Sequence, residues 1–382
     1  MIRVLQVIGT VGLGGAESRI MDLYRHIDRE KIQFDFLVTR GTKKYYEKEI
    51  EALGGHVYYL PPFRIVNYYQ YKKACVNFFK EHKGEYMAVH GHMTSTAAIY
   101  LPIAKKSGVP LTIAHARSAG VDPGIKGTLT RILRKRLPYR CDMMLSCSNE
   151  ASEAVFEKSA GKAKFMPNAI DTKDFVFDPA IRKSIREEYN INDRFVIGHV
   201  GSFRYAKNHD FIIQIMEYVV NLSKAKDDSL KQLGKPVLML LGDGELRPQI
   251  EELVKNKGLE EYVIFTGNKT PIAPFYQAFD VLLFPSHYEG MPGTVVEAQA
   301  AGLVSLISDK ITPQVGVTDI VTYMSLEDSV ATWAGKLIEL ANNGRSLDRN
   351  NILTKDGVKL ADTMYDVNMQ ADYYTSLYMG EK

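Results

Sequence analysis

Two glutamates eight positions apart, Glu289 and Glu297, flank the run GMPGTVV in this 382-residue chain. Ahead of them, an acid, four apolar residues and a proline read as a buried strand, Asp280–Phe284, ended by Pro285. Behind them, Ala298, Ala300 and Ala301 continue a helix until Gly302 stops it. A strand, a glycine-bearing loop and a helix N-terminus make an anion site. The free N–H groups of the first turn and the positive end of the helix dipole face whatever lies above the strand. Gly290, Met291, Pro292, Gly293 and Thr294 supply the loop and first turn. Glu297, one turn into the helix, is placed to accept hydrogen bonds from ribose hydroxyls, and Glu289 lies nearer the chemistry.

Cations, glycines and histidines gather at other predicted strand ends. Arg204 and Lys207 follow the strand Phe195–Val200. Gly12, Gly14 and Gly15 lie between the first strand and the first helix, where a tight turn brings backbone close to a phosphate. Their spacing is not G-x-G-x-x-G, and Thr39 and Arg40 stand where a ribose-binding acid would end the second strand. A nicotinamide-cofactor domain is therefore disfavoured. His90 and His92 follow the fourth strand and His115 the fifth, positions where function concentrates in a parallel sheet. His56 and His82 read as structural. The chain contains no D-x-D, so a metal held by such an acid pair is not expected.

In order along the chain, these segments resemble the retaining GT-B glycosyltransferases of family 4. Glu289 and Glu297 match that family's E-x7-E motif. VLQVIGTVGLGGAE resembles its first strand and glycine-rich turn, KFMPNAID its segment between two domains, and IGHVGSFRYAKNHDF its first C-domain strand with a basic loop. LLGDGELR and the stretch from Asp366 to Tyr378 also have counterparts. The resemblance implies two Rossmann-like domains facing a cleft and transfer of a sugar from a nucleotide diphosphate, a UDP-sugar first among donors. It implies that Lys207 neutralises the donor diphosphate and that His115, in HARS, sits near the donor sugar and β-phosphate. Gly14 and Gly15 would lie over the diphosphate. Where the family carries an arginine directly after the glycine, this chain has Ser202, and Arg204 is the candidate replacement. No cofactor is implied beyond the nucleotide sugar. The acceptor would be a saccharide, lipid-linked in the assembly of a bacterial surface polysaccharide.

Composition bounds the reading independently. A chain of this length exceeds the size at which one core keeps growing, and 45% hydrophobic residues describe a globular protein. Residues 1–170 hold 26 Lys and Arg against 15 Asp and Glu, and the remainder holds 22 against 30. The acidic second half argues against nucleic-acid binding; the basic first half suits a phosphate-bearing or membrane-surface partner. Cys75, Cys141 and Cys147 show no metal spacing and fit a reducing cytoplasm. No run of about 18 apolar residues predicts a membrane span. Val4–Ile8 is too short for a signal peptide and fits a first strand.

Apolar runs alternate with helical patterns, which implies parallel sheets covered on both faces. One series runs from Val4–Ile8 to Lys164–Met166, with helices between its seven strands. A second comprises Phe195–Val200, Val237–Leu241, Val263–Thr266, Val281–Phe284 and Val304–Ile307. The expected architecture is α/β, with an acceptor-binding domain over 1–170, a nucleotide-sugar domain over 171–363 and a C-terminal helix over 364–382 packing back toward the first. Lys224–Lys235 reads as a surface insertion. In Gly127–Arg140, Leu129, Ile132, Leu133 and Leu137 share one helical face, and Arg131, Arg134 and Lys135 share the other. That basic face is a candidate contact with anionic lipid or a lipid diphosphate at the inner membrane face. Two other readings stand beside sugar transfer: a UDP-sugar epimerase of the same fold, and a nicotinamide-dependent enzyme or non-catalytic nucleotide-binding module.

Overall fold

The computed structural model describes residues 1–12, 14–40, 44–117 and 125–381; Ser118 of the HARS segment lies outside them. The chain divides into two compact units, Met1–Ile170 with Met364–Lys382, and Asp171–Thr363.

The first unit contains β1 (Ile2–Ile8), β2 (Ile32–Val38), β3 (Val57–Tyr59), β4 (Tyr86–Gly91), β5 (Leu111–Ala116), β6 (Met143–Ser146) and β7 (Lys164–Phe165). They form one parallel sheet in the order β3-β2-β1-β4-β5-β6-β7. Every residue of β2 is buried, as a strand covered on both faces requires. The acid within it, Asp35, is tolerated because Arg3 donates to both carboxylate oxygens at 2.7 and 2.6 Å. The last helix, Val367–Met379, belongs to this unit. It is tied to the PNAID segment by Gln370 Nε2, which donates to the Pro167 carbonyl at 2.7 Å, and by Val367 N–H, which donates to Ile170 at 2.8 Å.

The second unit contains β8 (Arg194–Val200), β9 (Lys235–Leu241), β10 (Val263–Gly267), β11 (Val281–Phe284), β12 (Ser305–Ser308) and β13 (Val321–Met324). They are parallel in the order β10-β9-β8-β11-β12-β13, the doubly wound arrangement. In each sheet the strand order reverses once, between β1 and β4 and between β8 and β11. The loops leaving the C-terminal ends of those strands diverge there, which opens a crevice for a ligand.

Three expectations need correction. The second sheet has a sixth strand, β13, whose four residues carry too short an apolar run to stand out. Lys224–Lys235 is not wholly a surface insertion: Leu230 and Leu233 are buried in the second unit's core, and Lys235 begins β9. The helix Ile125–Arg136 is rotated from its predicted setting. Arg134 is only 6% exposed while Ile132 is 50% exposed, so Arg131 and Lys135 face solvent without Arg134. The stripe that packs inward runs through Gly127, Arg134 and Leu137, steps of seven and three that hold one helical face. Among the described residues, no helix is long and apolar enough to cross a membrane.

Candidate functional site

In the second unit, the loops after β8 and β11 meet at the point where strand order reverses. After β8 the chain makes a single 3-10 turn, Tyr205–Lys207, and Asn208 ends it in the left-handed region with φ 57° and ψ 46°. Asparagine adopts that conformation more readily than most residues. The turn points Lys207 back over the strand end. Its Nζ lies 2.6 Å from Glu289 Oε1 and 4.4 Å from the centre of the Phe284 ring. The two loops are also tied through backbone and side chains. His287 N–H donates to the Ala206 carbonyl at 2.8 Å, Asn208 Nδ2 donates to the Pro285 carbonyl at 3.0 Å, and Tyr205 stacks on His287 at 4.5 Å.

Close backbone approach accounts for two glycines here. Gly242 has φ 135°, and a Cβ on it would collide with the Gly201 carbonyl. A Cβ on Gly201 would come within 3.0 Å of Lys207 Cε and 3.1 Å of His199 Nε2. A side chain at Gly201 would therefore press on the Lys207 stem and the His199 ring.

The helix Gly293–Ala300 starts at Pro292, whose side chain offers no acceptor to the first-turn N–H groups. Glu297 is buried one turn in, and Tyr276 Oη donates to its Oε2 at 2.6 Å. Thr294 Oγ1 donates to the Val200 carbonyl at 3.4 Å, which ties this helix to the end of β8. Gly290 and Gly293 are partly exposed, and Met291 is buried beneath them. Arg204 is exposed and makes no ion pair among the described residues.

Two histidines beside Lys207 escaped the sequence reading. His199 Nδ1 faces the Leu283 carbonyl at 2.9 Å, which assigns the ring proton to Nδ1. Burial, reinforced by His209, holds its pKa well below the usual imidazole value. His209 stacks on Phe203 at 4.1 Å, and burial together with the Lys207 charge lowers its pKa to about 4. Both rings are thus neutral. The position of His199 at a strand end was the available signal; nothing local marked Tyr276.

The first unit gathers the other predicted residues at the ends of β1, β4 and β5. Gly14 caps the helix Gly15–His26, and the Glu17 carboxylate folds back over it while accepting from Thr10 Oγ1 at 3.2 Å. His115 is fully buried, its Nδ1 3.0 Å from His90 Nε2, and His90 Nδ1 lies 2.7 Å from Tyr378 Oη. Burial, then the charge of Arg117, keeps His115 and His90 well below the usual imidazole pKa. His92 completes the cluster. Arg117 Nε donates to its Nδ1 at 3.1 Å, so its proton sits on Nε2, facing Gln6 Oε1 at 2.9 Å. The nitrogens of His90, His92 and His115 lie within 4.8 Å of one another, a spacing open to a metal ion. With the His92 lone pair taken by a guanidinium, the cluster fits a metal poorly and works as a hydrogen-bonded array.

Two doubly wound parallel units, one carrying a lysine–carboxylate pair and a helix N-terminus at its strand ends, have the layout in which an anionic ligand binds above a parallel sheet. Residues 13–174 match the model described as Glycosyltransferase Family 4, and residues 194–343 match the one described as Glycosyl transferases group 1. Over 352 residues the chain is 33% identical to the putative glycosyltransferase EpsF of Bacillus subtilis (strain 168), covering 90% of this chain and 88% of that protein. The chain belongs to the family 4 (group 1) glycosyltransferases. It is also 26% identical, over 62% of each chain, to an Escherichia coli UDP-Gal:alpha-D-GlcNAc-diphosphoundecaprenol alpha-1,3-galactosyltransferase. The fold is GT-B. Anabaena HepE in complex with UDP superposes with a TM-score of 0.75 at 15% identity, covering all of both chains.

Proposed function

We propose that the protein moves a sugar from UDP to an acceptor hydroxyl with retention of anomeric configuration and without a metal. The observation that carries this reading is the Lys207–Glu289 pair, held at the switch point of the second sheet with the helix Gly293–Ala300 tied to the same strand end. An arriving diphosphate competes with Glu289 for Lys207, and the uncapped first turn of the helix Gly293–Ala300 adds N–H groups and a positive dipole end to its binding. As the bond from the sugar to the diphosphate breaks, the electron pair stays on the departing phosphate, the acceptor oxygen bonds to the anomeric carbon on that same face, and the hydroxyl proton passes to the phosphate. Lys207, with Arg204 at the loop surface, stabilises that developing charge. Glu297, oriented by Tyr276, holds the ribose hydroxyls. Glu289, released from Lys207, supports the transferring sugar alongside the backbone of Gly290–Gly293. Within the first unit, the family resemblance makes His115, neutral and backed by His90, the candidate for a hydrogen bond to the donor.

The E. coli relative is named for a diphosphoundecaprenol acceptor, and HepE was crystallised with UDP. These names favour a lipid-linked saccharide of a bacterial surface polysaccharide as acceptor and uridine as the base. Exposed Arg131 and Lys135 suit peripheral contact with anionic lipid at the inner membrane face. The test is a panel of radiolabelled nucleotide sugars incubated with the protein, with and without EDTA. A UDP-sugar should be consumed slowly without acceptor, and EDTA should leave the rate unchanged. Loss of turnover in EDTA with recovery on adding magnesium or manganese would overturn the metal-free account.

A further inference from the structure

The first unit carries a groove of about 480 Å³ beside the C-terminal ends of β2 and β4, where Thr39, Arg40 and Met93 stand. Its walls are apolar: Phe63, Ile65 and Val66 come from the segment after β3, and Leu129 and Leu133 from the helix Ile125–Arg136. Val66 is 93% exposed and Ile65 50%. Single exposed apolar side chains are ordinary, but a contiguous set opening into a groove marks a binding surface. Two guanidinium groups, Arg40 and Arg64, join the lining, which includes no carboxylate among the described residues. Neither arginine makes an ion pair among the described residues. Apolar walls with unneutralised cations suit a hydrocarbon chain attached to an anionic head. The concave shape suits a single chain rather than a flat bilayer surface.

We propose that this groove seats the first isoprene units of a polyisoprenyl diphosphate-linked acceptor, with Arg40 and Arg64 on the diphosphate and Phe63, Ile65, Val66 and Leu133 along the chain. The proposal rests on the lipid-linked acceptor argued above and adds where its lipid lies. The observed setting of the helix Ile125–Arg136, with Leu129 and Leu133 lining the groove, is the one such a seat requires.

The test is titration with geranyl, farnesyl and geranylgeranyl diphosphate and with inorganic diphosphate, all in the presence of UDP so that the nucleotide site is filled. Three proteins are compared: wild type, Ile65→Ser/Val66→Ser and Arg40→Ser/Arg64→Ser. Wild-type affinity should rise severalfold with each added five-carbon unit. The serine pair at 65 and 66 should flatten that dependence and leave inorganic diphosphate unaffected. The arginine pair should weaken every diphosphate about tenfold while keeping the chain-length trend. Affinity that ignores chain length in the wild type, or that neither variant changes, would overturn the proposal. So would wild-type binding to isoprenoid-free phosphatidylglycerol vesicles that is lost in Ile65→Ser/Val66→Ser, because the surface would then be a membrane contact. UDP binding, measured separately, should be equal in all three proteins; its absence from wild type would count against the nucleotide-sugar reading instead.

Discussion

Lys207 and Glu289 come from loops after two different strands, yet Nζ and Oε1 are 2.6 Å apart, and both side chains are less than a fifth exposed. The strand order places β8 directly beside β11, and that adjacency makes the ion pair. A largely buried pair of this kind is sensitive to losing one member, because the partner keeps its desolvation cost. It is also a poised site, since an incoming anion can replace the carboxylate.

Removing the lysine should separate diphosphate from nucleoside. Lys207→Ala is expected to weaken UDP by about 10- to 100-fold, the range for hydrogen bonds to charged groups, and to leave uridine nearly unaffected. Glu289→Gln should leave UDP binding at least as tight as in wild type, because the competing anion is gone, while turnover falls. Calorimetric titration of both ligands into both variants checks this. Equal losses of UDP and uridine in Lys207→Ala would point to a disturbed fold.

Glu297 acts on the other end of the nucleotide. Glu297→Ala should weaken UDP and uridine together, by about tenfold or more. Tyr276→Phe removes the 2.6 Å hydrogen bond to Glu297 and should reproduce part of that loss without touching any ligand directly. Unchanged uridine affinity in a folded Glu297→Ala protein would remove the ribose role.

Acid stability follows from His209. The folded protein keeps this ring neutral down to about pH 4, whereas an unfolded chain takes up the proton near pH 6.5. The unfolded state therefore binds more protons in that window. The stabilisation is complete above pH 6.5 and is lost as pH falls toward 4, by roughly 3 kcal/mol at the limit. His209→Leu should lose about 2 kcal/mol less than wild type between pH 7 and pH 4.5, measured by urea unfolding at each pH. Parallel acid losses in the two proteins would contradict the buried neutral ring.

The strands of both sheets were legible because parallel strands covered on two faces read as unbroken apolar runs, and LLF at 282–284 or VLML at 237–240 has no other comfortable reading. Short edge strand β13 lacked such a run. The setting of the helix Ile125–Arg136 was misread because a hydrophobic stripe reports which face is apolar, not which face a neighbouring helix covers. The helix packs against Thr94–Lys106 and Asn149–Phe156, and in that setting Arg134 is buried and Ile132 stays outside. At the site, local spacing carried the Glu289–Gly293 loop and Glu297. The pairing of Glu289 with Lys207, the hydroxyl of Tyr276 behind Glu297 and the Tyr378–His90–His115 chain depend on strand order and on the return of the last helix, which no local window contains.

The most direct test is titration of wild type and the Lys207→Ala/Glu297→Ala protein with UDP and, separately, with NAD. UDP should bind wild type saturably, NAD should not, and the double variant should lose UDP while keeping its unfolding midpoint within a few degrees. Saturable NAD binding, or UDP binding that the double variant retains in full, would contradict the placement of a nucleotide sugar at this strand junction.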